Sequence, residues 1–109
     1  MADLSAEARI LAAIRAIPRG EIAAYGVVAQ RAGLPGRARL VARVLAGNTD
    51  PALPWHRVMR AGGRIAFPPG SPGFDEQCRR LRAEGVQVDA VGRVRVDTPA
   101  RSLDEELWG

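Results

Sequence analysis

The sequence predicts a mainly α-helical domain with short β-hairpins, and three observations lead to it. Apolar residues recur at helical spacing in three segments. Two short helical stretches in the middle of the chain flank the turn Gly33-Leu34-Pro35-Gly36. At Ala61-Gly62-Gly63 and Asp89-Ala90-Val91-Gly92, short runs of strand-like residues meet across glycine-bearing turns. With 109 residues the chain reads as one domain over 1–109, large enough for a modest core and too small for two. Two helices across such a turn, followed by hairpins, outline a winged helix-turn-helix, whose second helix enters a DNA groove. Helix pairs of this kind also occur as plain structure.

Taken in order, Ser5 is the N-cap of a helix running to about Ile17, with Ile10, Leu11, Ile14 and Ile17 on one face. Pro18-Arg19-Gly20 ends it. Residues 21–26 form a connection that closes on Tyr25-Gly26, and a helix of about Val27 to Ala32 follows. The next helix runs from about Arg37 to Ala46 with Leu40, Val41, Val44 and Leu45 inward, which turns Arg39 and Arg43 outward one helical turn apart. Gly47-Asn48 is expected to stop it in left-handed conformation.

A proline-bracketed loop, Thr49 to Pro54, leads to a hairpin with arms 57–60 and 64–67. Residues 68–73, with three prolines and two glycines, are expected to be irregular. A helix from about Phe74 to Ala83 places Phe74, Cys78 and Leu81 inward and Arg79, Arg80 and Arg82 outward. A second hairpin joins 86–88 to 94–96. The acidic tail from Asp97 to Gly109 carries Leu103, Leu107 and Trp108 and either docks on the body or stays loose.

Composition narrows the classes of function. Apolar content of 47% with only 5% aromatic describes an ordinary globular chain whose few aromatics occupy chosen places. No apolar run approaches the roughly 20 residues of a membrane span, and no leader pattern opens the chain, so a cytoplasmic protein is expected. The single Cys78 and single His56 supply neither an internal disulfide nor an ordinary zinc site, so no metal and no cofactor is expected. Cys78 reads as a small core residue.

All 16 basic residues are arginine. Ahead of the acidic tail, fifteen arginines against eight acids leave +7, and positions 30–64 hold seven arginines against Asp50 alone. Such an excess fits either a solvated basic face or the electrostatic footprint of a DNA-binding domain.

One stretch carries more information than its composition. In Pro54-Trp55-His56-Arg57-Val58 the only histidine follows a tryptophan, which by itself also fits a core Trp beside a structurally bonded His. The pentapeptide resembles the Pro-Cys-His-Arg-Val active-site motif of the O6-alkylguanine-DNA alkyltransferases, with Trp55 where the alkyl-accepting Cys stands. That replacement is the pattern of the alkyltransferase-like proteins, which bind alkylated DNA without repairing it. The resemblance runs from about Ile10 to Val86 and corresponds to the family's C-terminal, DNA-binding domain alone.

Further positions match in type and spacing. Tyr25 resembles the tyrosine that presses on the phosphate beside the lesion, and Arg39 the arginine finger of the recognition helix. Asn48 resembles the asparagine that braces the turn before the active-site loop, and Glu84 the glutamate that orients the motif histidine. The resemblance thus implies a lesion pocket of Trp55, His56, Arg57, Glu84 and Tyr25, with DNA contacts from Tyr25, Arg37, Arg39, Arg43 and Asn48. It implies a recognition helix in the minor groove, nucleotide flipping, and a monomer that passes duplex DNA containing O6-alkylguanine to nucleotide-excision-repair proteins.

Two departures set this chain apart. Indole offers no nucleophile, so alkyl transfer is expected to be absent and the protein not to be an enzyme. Where alkyltransferases close the pocket with a Tyr-Ser-Gly-Gly-like loop, residues 67–74 here read Phe-Pro-Pro-Gly-Ser-Pro-Gly-Phe, and a roomier pocket that admits bulky adducts is expected. The alternatives are a winged helix-turn-helix transcription regulator and, less well supported, an enzyme that uses His56 with Glu84.

Overall fold

A computed structural model describes residues 5–95. The acidic tail with Leu103, Leu107 and Trp108, and Val96 of the second hairpin, lie outside the described residues. Helices predominate, as expected: α1 Ala6–Arg15, α2 Tyr25–Arg31, α3 Ala38–Ala46 and α4 Pro72–Ala83. Four two-residue strands accompany them, β1 Ala23–Ala24, β2 Val58–Met59, β3 Gln87–Val88 and β4 Val94–Arg95, with a single 3₁₀ turn at Trp55–Arg57. Ser5 caps α1, its hydroxyl accepting from the Ala8 amide at 3.1 Å.

Two apolar cores organise the chain. Ile10, Ile14 and Ile17 pack with Val28, Ala29 and Val41 to hold α1, α2 and α3 together. Phe74, Cys78 and Leu81 of α4 pack with Met59, Ile65, Val88 and Val94 in the second. Strand β2 joins them. Successive strand side chains point to opposite faces, so Val58 enters the first core and Met59 the second.

That double burial explains the main difference from the sequence reading. Residues 57–60 are not one arm of an extended hairpin: Val58 and Met59 pair in parallel with Ala23 and Ala24, as fits a strand covered on both faces. The expected hairpin shrinks to one antiparallel bridge, Arg60 to Arg64, turned by Gly62 and Gly63, both at positive φ. The second hairpin forms as expected, with Gln87 opposite Arg95 and Val88 opposite Val94.

Two helix starts also move, and one helix end takes a different form from the one expected. Helix α2 begins at Tyr25 rather than Val27, because extended Ala24 closes β1 directly before it and packing overrides the weak helix propensity of Gly26. Helix α3 does not end through a left-handed residue: Gly47 has φ −92°, and no described non-glycine residue has positive φ. Asn48 instead clasps the loop, its Oδ1 accepting from the Asp50 amide at 3.0 Å and its Nδ2 donating to the Asp50 carbonyl at 3.1 Å.

Helix α4 starts at Pro72, inside the segment expected to be irregular. Ser71 caps it by accepting from the Phe74 amide at 3.2 Å, and proline suits a first helical position whose N–H has no helical partner. No helix among the described residues is long and apolar enough to cross a membrane.

Candidate nucleic-acid interface

The 3₁₀ turn sends its three side chains in different directions, about 120° apart for three residues per turn. This separates the motif residues. Trp55 faces a cavity of about 530 Å³, whose wall also includes Tyr25 from α2, Ala42 and Leu45 from α3, Phe67 from the loop and Gln77 from α4. That volume lies in the range typical of ligand sites, about 300–1,000 Å³.

His56, Arg57 and Glu84, assigned to the pocket on sequence, do not line it. They form a buried network behind Trp55. His56 Nε2 lies 2.8 Å from Glu84 Oε2. Arg57 donates from Nη2 to the same oxygen at 2.7 Å, from Nε to Oε1 at 3.0 Å, and from Nη1 to the Ile17 carbonyl at 2.8 Å. The Gly20 amide donates to Glu84 Oε1 at 3.0 Å. One carboxylate therefore ties the end of α4 to the motif and to the connection after α1.

The electrostatics follow from these partners. The Arg57 guanidinium, with the Gly20 amide and His56, holds the Glu84 carboxyl at about 2 against the opposing effect of burial. Facing a carboxylate, Nε2 is the nitrogen that carries a proton in this pairing. Nδ1 is buried and has no hydrogen-bond partner among the described residues.

The indole is held on several sides. The His56 and Phe67 rings meet Trp55 edge-on at centroid distances of 6.1 Å, and the Arg80 guanidinium lies 5.4 Å from the indole centroid. Arg80 Nε in turn donates to Glu76 at 2.6 Å. Gly73 lets Phe67 take its place, since a Cβ there would meet the ring at 2.7 Å.

Sequence reasoning missed Gln77. It is buried and donates from Nε2 to the carbonyls of His56 and Val58 at 3.0 and 3.1 Å, so α4 holds the backbone of the motif directly. The signal was present, because Phe74, Gln77, Cys78 and Leu81 have the i, i+3, i+4, i+7 spacing of one helix face.

The expected DNA contacts lie on the surface beside the cavity. Arg37, Arg39 and Arg43 are exposed, and Tyr25 and Asn48, half-buried, line the cavity. Arg39 shares a flank of α3 with cavity-lining Ala42 and Ala46, three and seven residues on, so it stands at the rim. Cys78 lies in the second core and not on the cavity wall, and burial pushes its thiol up. Among the described residues no His, Cys, Asp and Glu side chains gather into a group able to hold a metal ion.

A helix pair and exposed arginines beside an aromatic-walled cavity suit a DNA-binding domain. The comparisons agree. The DNA-binding domain of 6-O-methylguanine DNA methyltransferase matches residues 5–86. A DNA base-flipping protein of Vibrio parahaemolyticus is 37% identical over 87 residues, covering 79% of this chain and 85% of its own. Alkyltransferase-like protein 1 of Schizosaccharomyces pombe is 31% identical over 103 residues, covering 92% and 91%.

Among solved structures, S. pombe Atl1 in complex with damaged DNA containing O6-carboxymethylguanine superposes over all of this chain and 99% of its own, with TM-score 0.73 and 28% identity. The O6-methylguanine methyltransferase of Mycobacterium tuberculosis gives TM-score 0.65 at 30% identity, with half of its length matched. The chain belongs to the family of 6-O-methylguanine methyltransferase DNA-binding domains. Within that family it is an alkyltransferase-like protein, as its similarity to Atl1 over nearly the whole chain shows.

Proposed function

We propose that this protein recognises O6-alkylguanine in duplex DNA, turns the damaged nucleotide into the cavity beside Trp55, and holds it without removing the alkyl group. As a non-enzymatic monomer it flags the lesion for nucleotide-excision-repair proteins. The observation that carries the reading is a base-sized cavity at the foot of the helix pair, with Trp55 on its wall where the family's thiol would stand.

Extruding a nucleotide costs a few kcal/mol of lost stacking. An aromatic wall returns part of that, about 1–3 kcal/mol per stacked base. Trp55 is already fixed by His56, Phe67 and Arg80, so little freedom is lost when a base meets it. Indole offers no nucleophile, and a thiol kept protonated in the second core supplies none, so the alkyl group stays on the DNA. Helix α3 enters the minor groove, Arg39 fills the emptied place in the stack and bonds the orphaned cytosine, Tyr25 presses the backbone, and Asn48 braces the loop. Arg37 and Arg43 bind phosphates. The cavity, walled in part by Phe67 and Pro68, has space for adducts larger than methyl.

Trp55 gives the direct test. With Trp108→Phe removing the other indole, Trp55 emission should change on adding a duplex containing O6-methylguanine and change less with the matched guanine duplex. Trp55→Ala should lower lesion preference by about 1–3 kcal/mol. A Trp55→Ala protein with its full lesion preference would remove Trp55 from the pocket.

A further inference from the structure

The family motif leaves one charged feature unused. Arg60 pairs with Arg64 and Arg64 pairs with Arg93 through successive antiparallel bridges. Residues directly opposite in such bridges project to the same face. Arg60 and Arg64, four residues apart, and the distant Arg93 therefore stand in one row across the hairpin region, and all three are exposed. Their guanidinium groups take part in no ion pair among the described residues, where the paired arginines are Arg15, Arg57, Arg79 and Arg80. Asp89, on whose carboxylate the charge of Arg93 acts, accepts with Oδ1 from the Val91 and Arg93 amides to close the β3–β4 turn. Like charges in cross-strand positions oppose folding, so the row has no account in stability.

Its place in the fold suggests a use. In the parallel pair β1–β2, Ala23 lies beside Val58 and Ala24 beside Met59, so Tyr25 and Arg60 follow side by side. Tyr25 lines the cavity, and the charge of Arg60 acts on its hydroxyl. The row thus begins at the cavity rim and runs away from it to Arg93. Two strand spacings cover roughly 10 Å, the axial rise of about three base pairs at 3.4 Å each.

We propose that Arg60, Arg64 and Arg93 form a second phosphate-binding surface that extends the duplex footprint of α2 and α3 outward from the pocket. The proposal rests on the reading of this chain as a DNA-lesion-binding protein. The ligand is the backbone phosphates of double-stranded DNA, held by charge and without base readout.

The test is fluorescence anisotropy between 50 and 200 mM salt, on a lesion duplex and its unmodified counterpart of about two helical turns. In the variant Arg60→Gln, Arg64→Gln, Arg93→Gln, affinity should fall by one and the same factor on both duplexes, tenfold or more at the lower salt. The slope of log affinity against log salt should become shallower by about 2 to 3, near 0.9 per lost phosphate contact. Each single Gln variant should take about 0.9 from the slope, and replacing all three arginines by lysine should restore it.

A triple Gln variant with the parental slope overturns the proposal, as does a Lys variant that fails to restore it. An unchanged slope on DNA with a shallower one on single-stranded RNA assigns the row to another partner and also overturns it. The two readings separate cleanly. A parent protein without lesion preference whose slope drops in the Gln variant loses the lesion reading and keeps the surface. A parent with lesion preference and a variant of unchanged slope keeps the lesion reading and loses the surface, whereas no binding of DNA by the parent removes both.

Discussion

Replacing Glu84 by Ala is expected to cost about 3–5 kcal/mol of folding stability, the usual penalty for breaking a buried ion pair from one side. The Glu84 side chain is 6% exposed and accepts from Arg57, His56 and the Gly20 amide. Its loss leaves the 15%-exposed Arg57 guanidinium with the Ile17 carbonyl alone and the His56 ring with no hydrogen-bond partner among the described residues. For a domain of this size that is a large part of the total. Urea denaturation of parent and variant reads the difference, and a loss below about 1 kcal/mol would mean the network is not structural.

The pH dependence carries a definite sign. The folded carboxyl sits at about 2 and the unfolded one near 4.5, so the folded state binds fewer protons between those values. The stabilisation is therefore complete above about pH 4.5 and is lost as pH falls toward 2. At 1.36 kcal/mol per unit the shift amounts to roughly 3 kcal/mol, in line with the mutational estimate. The stability gap between the parent and Glu84→Gln should narrow across that window, and a gap independent of pH would show that Glu84 is not charged in the folded state.

Arg39→Ala is expected to weaken binding of the lesion duplex by about 1–3 kcal/mol, because the emptied stack and orphaned cytosine are left unfilled. Arg43→Ala, one turn along α3, should weaken lesion and normal duplexes by the same factor, as loss of a phosphate contact does. Arg39 lies three and seven residues before Ala42 and Ala46 of the cavity wall and Arg43 three before Ala46, so the lesion-to-normal ratio is what separates the two arginines. Equal lesion-to-normal ratios for both variants would show that Arg39 is no finger.

Much of the scaffold was legible because local rules agree with the fold. Ser5 and the Ile10–Ile14 spacing specify α1, the stripe through Val41 specifies α3, and the alternation around residues 89–92 specifies the second hairpin. What escaped depends on distant partners. Nothing local tells that Val58 and Met59 belong to two different cores, or that their strand pairs with Ala23 and Ala24. The proline content of 68–73 concealed a helix start, since the rule against proline applies to helix interiors and not to Pro72 beside a capping Ser71.

The buried network beside the cavity was readable by identity but not by direction. His56, Arg57 and Glu84 were grouped correctly with one another, yet the turn sends them away from the cavity that Trp55 lines. Gln77 went unread because a polar residue on an apolar helix face has no signal beyond its spacing, and its partners are backbone carbonyls.

The central claim, recognition of alkylated guanine without repair, is tested most directly by one titration. Duplexes identical except for guanine or isotopically labelled O6-methylguanine are bound to the parent protein, and the label is then located after the complex is dissociated. The account predicts tighter binding of the methylated duplex, with all the label still on the DNA. Equal affinity for the two duplexes would contradict recognition, and label recovered on the protein would contradict the reading of Trp55 as a wall in place of a nucleophile.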